Sequence, residues 1–317
     1  MEKIVFLDSA TIPAHIRIPT PSFPHHWESY ESTQPDQVLQ RLTDASIVIA
    51  NKVVLSAEIL SQLPSLKLIA VSATGYNNVD INWCHAHHLP VCNIRGYATR
   101  SVPEHVMALI FSLRRNLNAY HRDIENGVWK EKGQFCFFTH PIGDIADATL
   151  GIVGSGSLGK GVERLAKAVG MNVIRAERKG AEDTREGYVS FDSMLEHADV
   201  VTLHCPLNES TQNMIGRDEL AKMKPSAILI NAGRGGLVDE QALVQALKKG
   251  VIAGAGVDVF TQEPAALSNP LLAHAGMPNL ILTPHVAWGS DSSIQTLANQ
   301  LIENINAFMA GTPQNLV

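Results

Sequence analysis

Thr149-Leu-Gly-Ile-Val-Gly154-Ser-Gly156-Ser-Leu-Gly159 decides how the rest of this chain is read. The apolar run before Gly154 has the look of a short buried strand. After the glycines, Leu158, Val162, Leu165, Ala166 and Val169 recur at helical spacing and predict one apolar face. Gly154, Gly156 and Gly159 therefore fall in a strand–turn–helix context with the spacing G-x-G-x-x-G. The first glycine permits the turn, the second lets backbone approach a pyrophosphate, and the third lets helix and strand pack closely. The helix would aim unpaired N–H groups and its positive end at the phosphates.

An acidic residue, Glu177, stands at the end of the next predicted strand, close to the roughly 20 residues on that a ribose-binding carboxylate requires. It would accept hydrogen bonds from the adenosine ribose, which favours NAD(H). Arg178 and Lys179 follow directly and could instead grip a 2′-phosphate, which keeps NADP(H) open, although Glu177 would repel that group. As a bare charge run, the two cations are equally a solvated loop.

Outward from this motif, short β-branched runs alternate with helical patterns over most of the chain. Strands are expected at Lys3–Asp8, Ser46–Asn51, Lys67–Ala73 and Pro90–Ile94, and again at Leu150–Val153, Met171–Ala176, Val200–His204, Ala227–Asn231, Gly254–Val259 and Leu280–Thr283. Between the two sets lie one long expected helix, Val102 to Glu125, and an irregular stretch, Gly127–Ile142. Such alternation implies an α/β protein with two doubly wound parallel sheets. A last helix is expected at Ser292–Met309; periodicity leaves open which sheet it joins.

Composition limits the function classes. With 317 residues, 45% hydrophobic and 18% charged, the chain is long enough for two ordinary domains. A net charge of -6 gives no basic footprint for nucleic acid. No stretch approaches the ~18 apolar residues of a membrane span, and Met1–Pro13 lacks the apolar run of a signal peptide. A cytoplasmic location, with no membrane partner, is the expectation. Cys84, Cys92, Cys136 and Cys205 match neither a zinc pattern nor a redox pair, and buried free thiols are expected. Cys84, His85, His87 and His88 do not share one helix face, so no metal is expected. His25 and His26 beside Trp27 are expected on a surface loop.

Reduction of a keto acid needs a grip on the carboxylate, a polarised carbonyl and a proton for its oxygen. A bidentate cation suits the first two and histidine the third. Asn231-Ala-Gly-Arg234-Gly, Gly256-Val-Asp258-Val-Phe-Thr-Gln-Glu263-Pro and Thr283-Pro-His285-Val-Ala-Trp288 each follow a predicted strand, at the sheet edge where ligands bind. Arg234, Glu263 and His285 could converge there.

In this order, behind the glycine fingerprint, these segments resemble the D-isomer-specific 2-hydroxyacid dehydrogenases over nearly the whole chain. The resemblance implies a Rossmann NAD-binding domain, residues 100–287, inserted into a flavodoxin-like substrate domain, residues 1–99 and 288–317. It makes His285 the acid–base, Glu263 the partner that holds its ring and favours imidazolium, and Arg234 the substrate grip. Backbone at Thr74 and Gly75 would hold the substrate carboxylate, and Trp288 could shape that pocket or merely pack. Asp258 would meet the nicotinamide carboxamide. Ser157 and Leu158 would lie on the pyrophosphate, and His204, Pro206 and Ala232 would line the cofactor cleft. That cleft would close over the substrate between the two domains of a homodimer supported by the long helix.

Within the family, Cys92–Tyr97, Ser101–His105, Ala176–Gly180 and Pro284–Trp288 suggest the members that reduce hydroxypyruvate to D-glycerate, with glyoxylate to glycolate as a side activity. Alternatives are a D-lactate or phosphoglycerate type, or a non-catalytic NAD(H)-sensing protein of corepressor type. Two departures from the family stand out. Glu177 replaces the more usual Asp, and Ala232-Gly233 replaces Thr-Ala, with Gly233 expected to add freedom beside Arg234.

Overall fold

Residues with no room for water on either side of a sheet build both halves of this protein. The computed structural model describes residues 1–317 and divides into two units, residues 1–97 with 289–317, and residues 98–288. In the first, β1 (Glu2–Phe6), β2 (His25–Ser29), β3 (Ile47–Ala50), β4 (Leu68–Val71) and β5 (Val91–Cys92) form a parallel sheet in the order β2-β1-β3-β4-β5. The central strands β3 and β4 are buried at every position, as strands covered on both faces must be. Helices α1 (Val38–Leu42), α2 (Ala57–Leu60) and α3 (Ile81–Ala86) connect them. Ser56 and Asp80 cap α2 and α3, accepting from the N–H groups of Ile59 and Trp83.

The second unit begins with α4 (Ser101–Arg114), α5 (Leu117–Glu125) and α6 (Val128–Lys132). There follow β6 (Thr149–Val153), α7 (Ser157–Ala168), β7 (Asn172–Ala176), α8 (Phe191–His197), β8 (Val200–Leu203), α9 (Arg217–Lys222), β9 (Ile228–Asn231), α10 (Glu240–Lys248), β10 (Gly254–Val257) and β11 (Leu280–Leu282). The parallel sheet runs β11-β10-β9-β8-β6-β7. The chain goes outward from β6 to β7, then crosses back to lay β8 on the other side of β6. That reversal is the switch point at which doubly wound sheets take ligands. Finally α11 (Asp291–Met309) returns to the first unit and packs over β4, where the buried Asn304 donates its amide to the Asn93 carbonyl at 2.9 Å.

Four local expectations are corrected. The long helix after Val102 is two helices, because Asn116 takes a left-handed conformation (φ 51°) and donates its amide to the Pro141 carbonyl. The irregular stretch contains α6, and its Cys136 is exposed. His25 and His26 belong to an edge strand, β2, whose part-exposed residues hide the alternation that would mark it. The buried face of α7 is Gly159, Gly161, Val162, Glu163 and Ala166, while Val169 is 37% exposed. Glu163 can lie inward because Arg175 on β7 donates to both its oxygens, at 2.9 and 2.7 Å, and Lys167 to one.

Helix α4 lies against α7, with the Pro103 ring over Gly161; a Cβ added at Gly161 would sit 2.6 Å from that ring. Gly161→Val should therefore force the helices apart and cost about 1–3 kcal/mol. A urea-unfolding midpoint equal to wild type would contradict the contact.

Candidate active site and dinucleotide cradle

The glycine turn is built by close approach. Gly154 has φ 97°, and a Cβ there would meet the backbone of His204 and Cys205 at 2.6 Å, at the end of β8. A Cβ on Gly159 would lie 2.1 Å from the Gly154 carbonyl oxygen. At Gly156 the space is open, with nothing within 4 Å of the missing Cβ. Gly156 is also the N-cap of α7 and offers no capping side chain. First-turn N–H groups, Ser157 and Leu158 among them, thus start beside open space at Gly156, where they would hold a pyrophosphate.

Glu177 directly follows β7, as the motif requires, but its carboxylate is already engaged. Arg185 donates through Nε to Oε2 at 2.6 Å and through Nη2 to Oε1 at 2.8 Å. The N–H groups of Arg178 and Arg185 add 2.9 and 3.3 Å contacts. The Arg185 guanidinium beside it, with the Arg178 N–H, holds the Glu177 carboxyl down at about 2. Arg185 lies 4.1 Å over the Tyr188 ring, whose hydroxyl is 2.6 Å from Ser155 Oγ in the glycine turn. Lys179 is drawn away to Glu219 at 2.7 Å and the Met214 carbonyl at 2.9 Å, whereas Arg178 is exposed.

The residues expected to line the cleft divide. Ala232 is 8% exposed and Pro206 is open to solvent. The His204 ring is turned into the protein: Nε2 lies 3.0 Å from Thr202 Oγ1, and Nδ1 is shut away without a partner. Burial pushes this imidazole down to about 4, so it is neutral near pH 7. At His204, therefore, only backbone adjoins the glycine turn.

Asp258 follows β10 and is 0% exposed. Its Oδ1 accepts from the Thr283 hydroxyl at 2.5 Å and the Val286 N–H at 2.9 Å, and Oδ2 from the Ala287 N–H at 2.9 Å. Its carbonyl accepts the His285 N–H at 2.7 Å. The carboxylate thus ties the turn after β11 to the turn after β10. His105 on α4 completes this tie, with Nε2 3.1 Å from Thr283 Oγ1. Because the Thr283 proton goes to Asp258, His105 must donate there. Sequence reading assigned no part to Thr283 or His105, though both lie in segments it quoted.

In the turn so held, His285 takes φ 55°. Its Nδ1 donates to Glu263 Oε2 at 2.6 Å, while Glu263 Oε1 accepts the Phe260 N–H at 2.9 Å. The pair is partly open, with side chains 26% and 28% exposed, so Nε2 is the nitrogen left to meet a reactant. Trp288 donates from Nε1 to the His285 carbonyl at 2.9 Å. Asn231 shapes the third loop, donating to the Arg234 carbonyl and accepting from the Gly233 N–H. Arg234 is exposed, its Nη1 on the Gly233 carbonyl at 2.8 Å. Gly233 tightens this loop, contrary to expectation, since a Cβ there would lie 2.8 Å from the Leu203 carbonyl oxygen.

In the first unit, the Thr74 hydroxyl is turned to the Ile94 carbonyl at 2.8 Å and Asn93 donates to the Thr74 carbonyl at 2.8 Å, which fixes the turn after β4. Thr74 is exposed and Gly75 part-exposed. The Cys84–His88 residues disperse: His85 meets the Val317 carbonyl and His87 stacks on Trp83.

Two parallel-sheet α/β units, one with a dinucleotide cradle and an imidazole–carboxylate pair at its strand ends, define a nucleotide-dependent oxidoreductase class. Residues 107–287 match the NAD binding domain of the D-isomer specific 2-hydroxyacid dehydrogenases, and the chain belongs to that family. It is 50% identical over 317 residues to the glycerate dehydrogenase of Methylorubrum extorquens, covering 100% of this chain and 99% of that one. With the hydroxypyruvate reductase of Blautia hydrogenotrophica it shares 35% over 288 residues, 90% of this chain and 88% of that one. Among solved structures, D-lactate dehydrogenase from Aquifex aeolicus, complexed with NAD and lactic acid, aligns at TM-score 0.81 and 27% identity over 99% and 98% of the two chains. No helix is long and apolar enough to cross a membrane.

The Glu177–Arg185 pair sets a pH test. A carboxyl held below its ordinary 4.5 contributes stability that is present above 4.5 and lost as pH falls toward 2. Arg185→Met should thus be less stable than wild type at about pH 6, and the difference should shrink below about pH 4 in urea unfolding. A difference independent of pH would contradict the pairing.

Proposed function

We propose that this protein reduces hydroxypyruvate to D-glycerate, and glyoxylate to glycolate as a side activity, using a reduced nicotinamide dinucleotide. The observation that carries the reading is the 2.6 Å hydrogen bond from His285 Nδ1 to Glu263, in a turn held by a carboxylate sealed from water. Support for the particular substrate comes from the full-length likeness to a glycerate dehydrogenase.

On this reading Glu263 fixes the ring through Nδ1 so that Nε2 faces the substrate. The bound dinucleotide supplies hydride to C2 of the keto acid. His285 gives its Nε2 proton to the carbonyl oxygen as that oxygen gains charge, and takes a proton from the hydroxyl in the reverse direction. Arg234 releases the Gly233 carbonyl to bind the substrate carboxylate and polarise the carbonyl. Trp288 bounds the substrate, and the exposed turn at Thr74 and Gly75 offers N–H groups suited to a carboxylate. Asp258, expected from the sequence to meet the carboxamide, is instead sealed inside and keeps the His285 turn in place. Ser157 and Leu158 hold the pyrophosphate.

We propose further that the protein works as a homodimer in the cytoplasm. Phe111, Leu117, Ile124, Trp129, Phe135 and Phe138 are large apolar side chains exposed within one stretch of chain, the composition of a surface that a second copy covers.

The test follows hydroxypyruvate-dependent loss of NADH absorbance. His285→Ala should lower kcat by about 10²–10⁴-fold, the usual worth of a general acid, with NADH affinity unchanged. Glu263→Gln, which keeps the shape but removes one acceptor for the ring N–H, should lower kcat by less than His285→Ala does. Wild-type turnover in His285→Ala would reject the assignment.

A further inference from the structure

The ribose-side carboxylate offers the cofactor no open acceptor. An ionised carboxylate has about four acceptor positions. In Glu177 four donors occupy them: Arg178 N–H, Arg185 N–H, Arg185 Nε and Arg185 Nη2. The carboxylate side chain is 5% exposed and the arginine over it 57% exposed. What faces solvent beside the adenosine end of the cradle is therefore a guanidinium, stacked on Tyr188 and braced through its hydroxyl to Ser155. Arg178, which follows Glu177 in the chain, is exposed as well.

We infer that Arg185 sets cofactor choice: by covering and neutralising Glu177 it turns a site that would reject a 2′-phosphorylated adenine nucleotide into one that binds it. The inference rests on the dinucleotide reading of the glycine turn. A bare carboxylate discriminates in two ways, by accepting from the ribose hydroxyls and by repelling a phosphate placed on one of them. Arg185 removes both, since it fills the acceptor positions and cancels the charge. Arg178 then supplies the direct contact to the phosphate. Tyr188 and Ser155 hold Arg185 at the correct depth, linking the ribose end of the site to the pyrophosphate turn.

The test uses nucleotide fragments, so that it reads binding without turnover. Adenosine 2′,5′-bisphosphate and 5′-AMP are titrated calorimetrically into wild type, Arg185→Met and the double variant Glu177→Gln with Arg185→Met. Wild type should bind the bisphosphate at least as tightly as 5′-AMP. Arg185→Met should weaken the bisphosphate by about tenfold or more, because an uncovered carboxylate then faces the phosphate, and leave 5′-AMP unchanged or tighter. The double variant, with no carboxylate to cover, should recover most of the bisphosphate affinity. Equal weakening of both nucleotides, no change in either, or a double variant as weak as Arg185→Met would overturn the inference. Failure of wild type to bind either fragment would overturn it together with the dinucleotide reading, whereas tight binding without keto-acid turnover would count against the proposed reaction alone.

Discussion

The carboxylate of Asp258 is the group on which the reactive end of the second unit depends. It is sealed from solvent, and such a charge persists only where donors replace the water it lost. Here the donors are the Thr283 hydroxyl and the N–H groups of Val286 and Ala287. Satisfying them folds the chain after β11 into one turn, and that turn places His285 in a conformation few residues adopt willingly. The imidazole then meets Glu263, whose other oxygen is fixed by the Phe260 N–H. Two strand ends are thereby joined into one base that holds the imidazole.

The same economy governs the cradle. A parallel sheet that reverses its winding between β6 and β8 leaves a gap at its carboxyl edge, and the glycine turn fills it by backbone alone. His204 contributes main chain at this point and keeps its neutral ring inside. Arg234 stands on a loop tightened by Asn231 and by the approach of Gly233 to β8. The candidate site residues therefore sit on loops, and the sheet fixes where those loops begin.

The two parallel sheets and the positions of the strand-end motifs were legible in the sequence, because buried β-branched runs and glycine spacing are local signals. What escaped it was pairing across longer stretches. The Glu177–Arg185 bond joins residues eight apart in an irregular loop, where no periodicity points from one to the other. Asp258 was read for the carboxamide because its motif is recognisable, while its use by the His285 turn depends on which backbone groups lack partners. The break at Asn116 was hidden because the apolar spacing of α4 continues into α5. Glu163 was missed as a buried residue because only its ion pair with Arg175 makes that burial tolerable.

On the proposed reading, the imidazole held by Glu263 and the carboxylate bound by Arg234 present one face of the keto acid to hydride, and the hand of the product follows from that arrangement. The direct test is to reduce hydroxypyruvate with NADH and resolve the glycerate on a chiral column. The account predicts D-glycerate as the single enantiomer formed. L-glycerate, a racemic product, or no glycerate at all would contradict it.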